Sequence, residues 1–208
     1  MSRIPLPSPE TMSPEQRRVY DSIIDGPRGR LVGPLRAALH SPELADRWQR
    51  LGEFLRYKTS LSLRVSELAI LVCARRWNSH LEWHIHSQAA LQAGVPSGII
   101  DAIKAGDAPR IDDKDDAAVY EYVRQIQLYG RVSDEVYRYI WSKWGVVGIV
   151  ELTAVIGYYT MVAMTLNAHE IPLPDNALPP LSPVRRGANG ADQSEEMFGL
   201  TELPAPRV

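Results

Sequence analysis

Residues 64–94, RVSELAILVCARRWNSHLEWHIHSQAALQAG, decide how the chain folds. The first part, through Trp77, is apolar on nearly every side of a helical turn, and a helix of that kind belongs inside a bundle. One glutamate interrupts it: Glu67 shares a face with Ile70, Leu71 and Ala74. Residues 79 to 93 read as a second helix, stopped by Gly94. The short WNS link between the two predicts antiparallel packing, which turns the Glu67 face toward the second helix.

The second helix has two polar faces. Wound with the α-helical period, Ser79, Glu82, Trp83, His86 and Ala90 fall on one side of the cylinder. His80 and His84 fall together on another side, so the histidine cluster divides once it is wound into a helix. Glu82 and His86, at i and i+4, can touch. The plain reading is a solvated polar pair worth a few tenths of a kcal/mol. The sharper one is a proton-transfer dyad, in which a carboxylate orients an imidazole. Glu67 has two readings as well: it reaches solvent or pairs with Arg64, or it is buried and must be paired or protonated.

His80 and His84 have the i,i+4 spacing of two zinc ligands, but HLEWH lacks the glutamate that directly follows the first histidine in H-E-x-x-H. They are expected to be surface or interface histidines, with no metal bound. Cys73, the one cysteine, has no intramolecular disulfide partner and reads as a small buried residue. A chain with one thiol cannot carry out intramolecular dithiol chemistry, and it suits a reducing compartment.

Working outward, SPEQ at 13–16 and SPEL at 41–44 each place a serine cap before a proline at the first helical position. The first helix should run to about Ile24, where DGPRGRLVGP breaks it. The second carries Leu44, Trp48, Leu51 and Leu55 on one stripe. GVPSGIIDAIKAG, DDKDDAAVYEYVRQIQLYG, SDEVYRYIWSKWG and the apolar stretch 146–167 complete a set of helices, and no run of strand alternation appears. The expectation is all-α: a single-domain helical bundle over residues 1–170 and a proline-rich tail over 171–208. Seven of the sixteen prolines fall in the last 37 residues. The tail is expected to be irregular, either draped over a neighbouring subunit through Met197, Phe198 and Leu200 or unstructured.

Residues 146–166 have the length of a membrane span, yet Glu151, two glycines, three threonines and the lack of flanking basic clusters favour a buried helix. With a net charge of −2 there is no electrostatic case for nucleic acid or an anionic membrane as partner. No glycine-rich phosphate loop occurs, and the Trp and Tyr stripes of residues 120–144 suit a core or interface better than base stacking. The N-terminus has no secretory or transit pattern, which points to the cytoplasm.

Glu67, the WNSHLEWHIH turn and helix, AALQAGVPSGIIDAIKAG and the apolar helix ending YYTMVAMTLN follow one another in the order of the carboxymuconolactone decarboxylase family. The chain resembles that family over roughly residues 12–170. The family includes the alkylhydroperoxidase D branch, whose relay uses a glutamate, a C-x-x-C pair and a histidine. Here Ser79 and Glu82 stand where the two cysteines would be, so a thiol peroxidase relay cannot operate.

The resemblance implies an all-helical oligomer, a trimer or hexamer, with cofactor-free pockets near subunit contacts. It also implies loss of carbon dioxide from a small carboxylated lactone or related carboxylic acid, as in aromatic compound catabolism. On that reading His86 is the proton donor or oxyanion partner, Glu82 orients it, and Glu67 is a second proton-handling carboxyl. Ser79 supplies a hydroxyl, and Trp83 a wall that excludes water. The motif fixes no arginine as a carboxylate clamp, although Arg75 and Arg76 are close in sequence. The extra His80 and His84 and the long C-terminal extension lie outside the motif. Two other functions stay open on the same residues: a non-catalytic oligomer that binds a small ligand, and a metal-dependent hydrolase.

Overall fold

The computed structural model describes residues 2–174 and 177–182. Among these the chain is all-helical: α1 (Pro14–Ile24), α2 (Pro34–Ala38), α3 (Pro42–Tyr57), α4 (Leu63–Arg76), α5 (His80–Gln92), α6 (Ser97–Ala105), α7 (Lys114–Tyr129) and α8 (Asp134–Ala168). The Ser13 capping box forms as its sequence predicts: Ser13 Oγ accepts from the Gln16 amide while the Gln16 side chain accepts from the Ser13 amide. Short α2, with Pro34 in its first turn, lies just beyond the glycine-rich break and was not anticipated. The stretch read as two final helices is continuous except at Gly145, whose φ of 66° and ψ of −173° set the two halves at an angle. Only glycine adopts that backbone without strain.

Helix α4 is the centre of the molecule. Every residue from Val65 to Arg75 is buried, because α5, α7 and α8 all pack against it. Glu67 is buried there with the rest of the helix and bonded to a neighbouring side chain, so the reading in which it reaches out to water fails. Nor does Glu67 pair with Arg64. Arg64 instead makes a two-pronged ion pair with Asp116 on α7 and donates to the Gly94 carbonyl at 2.8 Å, tying α4 to α7 and to the α5–α6 turn.

The turn from α4 to α5 is specified locally. Asn78 takes a left-handed φ of 48°, its amide donates to the Arg75 carbonyl, and the Ser79 amide donates to that of Ala74. This is the Schellman stop, with asparagine in the position glycine usually fills. Arg75 locks it by donating to Asn78 Oδ1 at 2.7 Å. The second helix therefore starts within a few residues of the first and runs back along it.

The stripe expected on α3 is corrected. Trp48 and Leu55 are buried, but Leu44 and Leu51 are 49% and 47% exposed. The buried arc runs instead through Ala45, Trp48, Gln49, Gly52 and Leu55. Small residues on that side let neighbouring side chains approach the helix axis. Cys73 is fully buried, as expected, and burial pushes its thiol up. Glu151, the one charge in the apolar half of α8, accepts from the Ser60 amide and hydroxyl at 2.7 and 2.6 Å and so closes the α3–α4 turn.

α8 is long and apolar enough to cross a membrane, and half of its most apolar window is buried against the rest of the chain. The start of the proline-rich segment packs back on the bundle: Ile171 and Leu181 are buried, and Ser182 accepts from Arg75 at 3.2 Å. Met197, Phe198 and Leu200, expected to drape over a neighbour, lie outside the described residues.

Candidate functional site

Antiparallel packing of α4 and α5 brings Glu67 and His86 together. The Nδ1–H of His86 donates to Glu67 Oε2 at 2.8 Å, and both side chains are buried. The donor assignment follows from the carboxylate being the acceptor. It leaves Nε2 as the free nitrogen of the ring. Tyr159 of α8 meets the imidazole edge to face, with ring centroids 4.9 Å apart.

Glu82 does not bond to His86, contrary to the expectation from their i,i+4 spacing. Glu67 competes for the imidazole from the facing helix and wins, because Nδ1 points across the helix pair rather than along α5. Glu82 is fully buried, and among the described residues neither of its carboxyl oxygens has a hydrogen-bond partner. Burial pushes its carboxyl well above the ordinary 4.5, and the nearby Ser79 hydroxyl offsets only part of that rise. The two groups do not reach hydrogen-bond geometry, since Ser79 Oγ is itself buried and unpartnered. The influence of Ser79 is therefore one of proximity alone.

Ser79 is the N-cap of α5 and Glu82 its third residue, so S-x-x-E here has the sequence of a capping box. The box does not close: Ser79 makes no side-chain cap bond. A surface helix uses this pair to satisfy its own first turn, whereas here the carboxyl turns inward. Such an acid favours its neutral form and can donate a proton.

Glu82 and His86 open onto one cavity of about 110 Å³ between α5, α8, α3 and the α1–α2 loop. Its apolar wall includes Leu81, Ile85 and Val162, and its polar wall is Tyr158, Tyr159 and three arginines, Arg28, Arg30 and Arg56. These arginines were not anticipated. Arg75 and Arg76, the sequence neighbours of the motif, do not line the cavity: Arg75 serves the α4–α5 turn, and Arg76 lies over the Trp77 ring. Trp83 is buried but lines a separate crevice with Ser97, Ile100 and Lys104 of α6, so it is no wall of this cavity. The buried arc of α5 is wide enough to face two neighbours, and Trp83 sits at its α6 edge.

His84 is exposed. His80 accepts from the Leu181 amide at 3.4 Å, and burial, then the charge of Arg75, lowers its pKa. Among the described residues no three His, Cys, Asp or Glu side chains stand in a metal-binding group. No family model matches the chain, and comparison with curated proteins gives no match.

Proposed function

We propose that the chain is a cofactor-free lyase of the carboxymuconolactone decarboxylase kind, built on the alkylhydroperoxidase D-like fold and acting as a homo-oligomer. The observation that carries the reading is the buried Glu67–His86 hydrogen bond beside an unpartnered, fully buried Glu82 at a single cavity. Two titratable groups in contrasting surroundings on one small cavity suit acid/base chemistry. The substrate is a small carboxylic acid or carboxylated lactone.

In the proposed reaction the bond between the leaving carboxylate and its carbon breaks. The electron pair passes to that carbon and delocalises into an adjacent carbonyl as an enolate, while carbon dioxide departs. Glu82, held neutral by burial, gives its proton to the carbon and is reprotonated by water. In its imidazolium form, with Nδ1–H held by Glu67, His86 donates Nε2–H to the developing oxyanion. The two glutamates thus exchange the roles expected from sequence: Glu67 orients the imidazole, and Glu82 handles the proton. Ser79 lies next to Glu82 and keeps its hydroxyl available.

Purified protein treated with chelator should release carbon dioxide from carboxylated lactones, with a matching change in ultraviolet absorbance, and His86→Ala should abolish it. Unchanged turnover in that variant defeats the assignment. Ligand-dependent thermal stabilisation without product by mass spectrometry would make the cavity a receptor instead.

A further inference from the structure

We propose that Arg28, Arg56 and Tyr158 form a carboxylate receptor at one end of the cavity, with the exposed Arg30 at its mouth, and that it holds the carboxylate the substrate keeps. This rests on the lyase reading for which carboxylate is meant, but the receptor itself stands on separate observations.

Three guanidinium groups line one small cavity, and among the described residues the only acid in its lining is Glu82, whose burial favours the uncharged form. Among the described residues none of the three has a carboxylate partner: Arg28 donates to the Tyr158 hydroxyl at 3.4 Å, and Arg56 lies over the Tyr57 ring. Arg28 Nε is buried with no acceptor. Cations gathered without counter-charge repel one another and give up hydration, so the arrangement lowers stability unless an anion enters. Guanidinium forks match a carboxylate in shape and bind it through paired, charge-assisted hydrogen bonds.

The backbone is shaped to admit this group. Gly52 of α3 faces it, and a Cβ at that position would collide with the Tyr158 hydroxyl and Arg28 Nη2. Arg56 follows one turn later on the same helix. Ring contacts link this end to the proton-transfer end: Tyr158 meets Tyr159 at 5.3 Å, and Tyr159 meets His86 at 4.9 Å. At about 10–15 Å³ per water-sized position, the cavity holds a ligand on the order of ten heavy atoms.

The carboxylate held by arginine is not the one that leaves. Decarboxylation discharges the leaving group's negative charge, so guanidinium bonds to it would stabilise the ground state more than the transition state and slow the reaction. A retained carboxylate keeps its charge throughout and is held equally in both.

Benzoate and benzamide, similar in size but different in charge, are the probes, with binding read by calorimetry on wild type, Arg28→Gln and Arg56→Gln. Wild type should prefer benzoate, and each arginine variant should bind it roughly tenfold or more weakly while binding benzamide unchanged. Circular dichroism establishes that the variants are folded, and if Arg28→Gln is not, Arg56→Gln decides. No preference in wild type, or full preference in the folded arginine variants, overturns the receptor. An intact arginine-dependent preference without carbon dioxide release overturns the lyase reading alone.

Discussion

His86 Nδ1 and Glu67 Oε2, 19 residues apart in sequence, lie 2.8 Å apart in a buried contact between α4 and α5. This bond fixes which nitrogen of the ring is left for chemistry, and it satisfies a carboxyl in the most enclosed helix of the fold. Removing the carboxyl strands a buried imidazole N–H. Glu67→Ala should therefore lose about 1–3 kcal/mol by urea denaturation. The combined Glu67→Leu, His86→Leu chain should lose less than the two single changes added together, because it leaves neither partner unsatisfied. Glu67→Gln keeps a bond to the ring but not the charge; it should fold and retain ligand binding while turnover falls by about 10²–10⁴-fold. Wild-type turnover in Glu67→Gln removes Glu67 from the mechanism.

Burial raises the Glu82 pKa above its ordinary 4.5, and the sign of the consequence for stability follows. Above the ordinary value the unfolded chain gives up this proton while the folded chain keeps it. The folded state then binds more protons, and stability declines with rising pH until the folded pKa is passed. Glu82→Gln carries no such proton. Its melting temperature relative to wild type should be lowest near pH 4 and should climb steadily toward pH 8. A difference that stays flat over that range, or falls, means that Glu82 titrates as an ordinary carboxyl and is not the acid.

The helix pair at the heart of the site was legible because it is local. An apolar helix, a three-residue link and a glycine stop bring Glu67 to face His86 with little freedom to do otherwise. The pairing within the site was less legible, since i,i+4 spacing promotes contact only between side chains that point along the helix, and a buried acceptor on α4 draws His86 across instead. On α3 the sequence offers two apolar stripes. Large Leu44 and Leu51 suggest one of them, but Ala45 and Gly52 beside Trp48 are what allow Tyr158 and Arg28 to come close. The arginines themselves come from a loop without periodicity and from a helix two elements upstream, so no local pattern links them to the histidine helix. Ser79 and Glu82 were legible as neighbours of His86 on one helical face, and their S-x-x-E spacing is also that of a capping box, which here does not close.

Gly52 gives a test that does not touch the chemistry directly. A methyl group there overlaps Arg28 and Tyr158, so Gly52→Ala should cost about 1–3 kcal/mol through overpacking. It should also weaken benzoate binding along with the folded-state loss, because the guanidinium is displaced. Gly52→Ala with unaltered melting and unaltered binding means that Arg28 has room elsewhere and is not held at the cavity by this close approach.

Val147, Val150, Ala154, Gly157, Met161 and Met164 recur along α8 at alternating intervals of three and four residues, the spacing of a helix–helix seam. In the single chain much of that seam faces water, with Val147 62%, Val150 61% and Met164 47% exposed. Covering one such side chain is worth about 1.5–3 kcal/mol, and Ala154 and Gly157 at the middle leave room for a second backbone. The prediction is that the proposed oligomer pairs this face, copy against copy. Val150→Glu, at a position 61% exposed in the single chain, would bury a charge in the seam. Light scattering should give a multiple of 23.3 kDa for wild type and the single-chain mass for Val150→Glu, with helical content unchanged by circular dichroism. A wild-type mass of one chain leaves the seam unpaired and withdraws the oligomer, while an unchanged multiple in Val150→Glu moves the interface to another face.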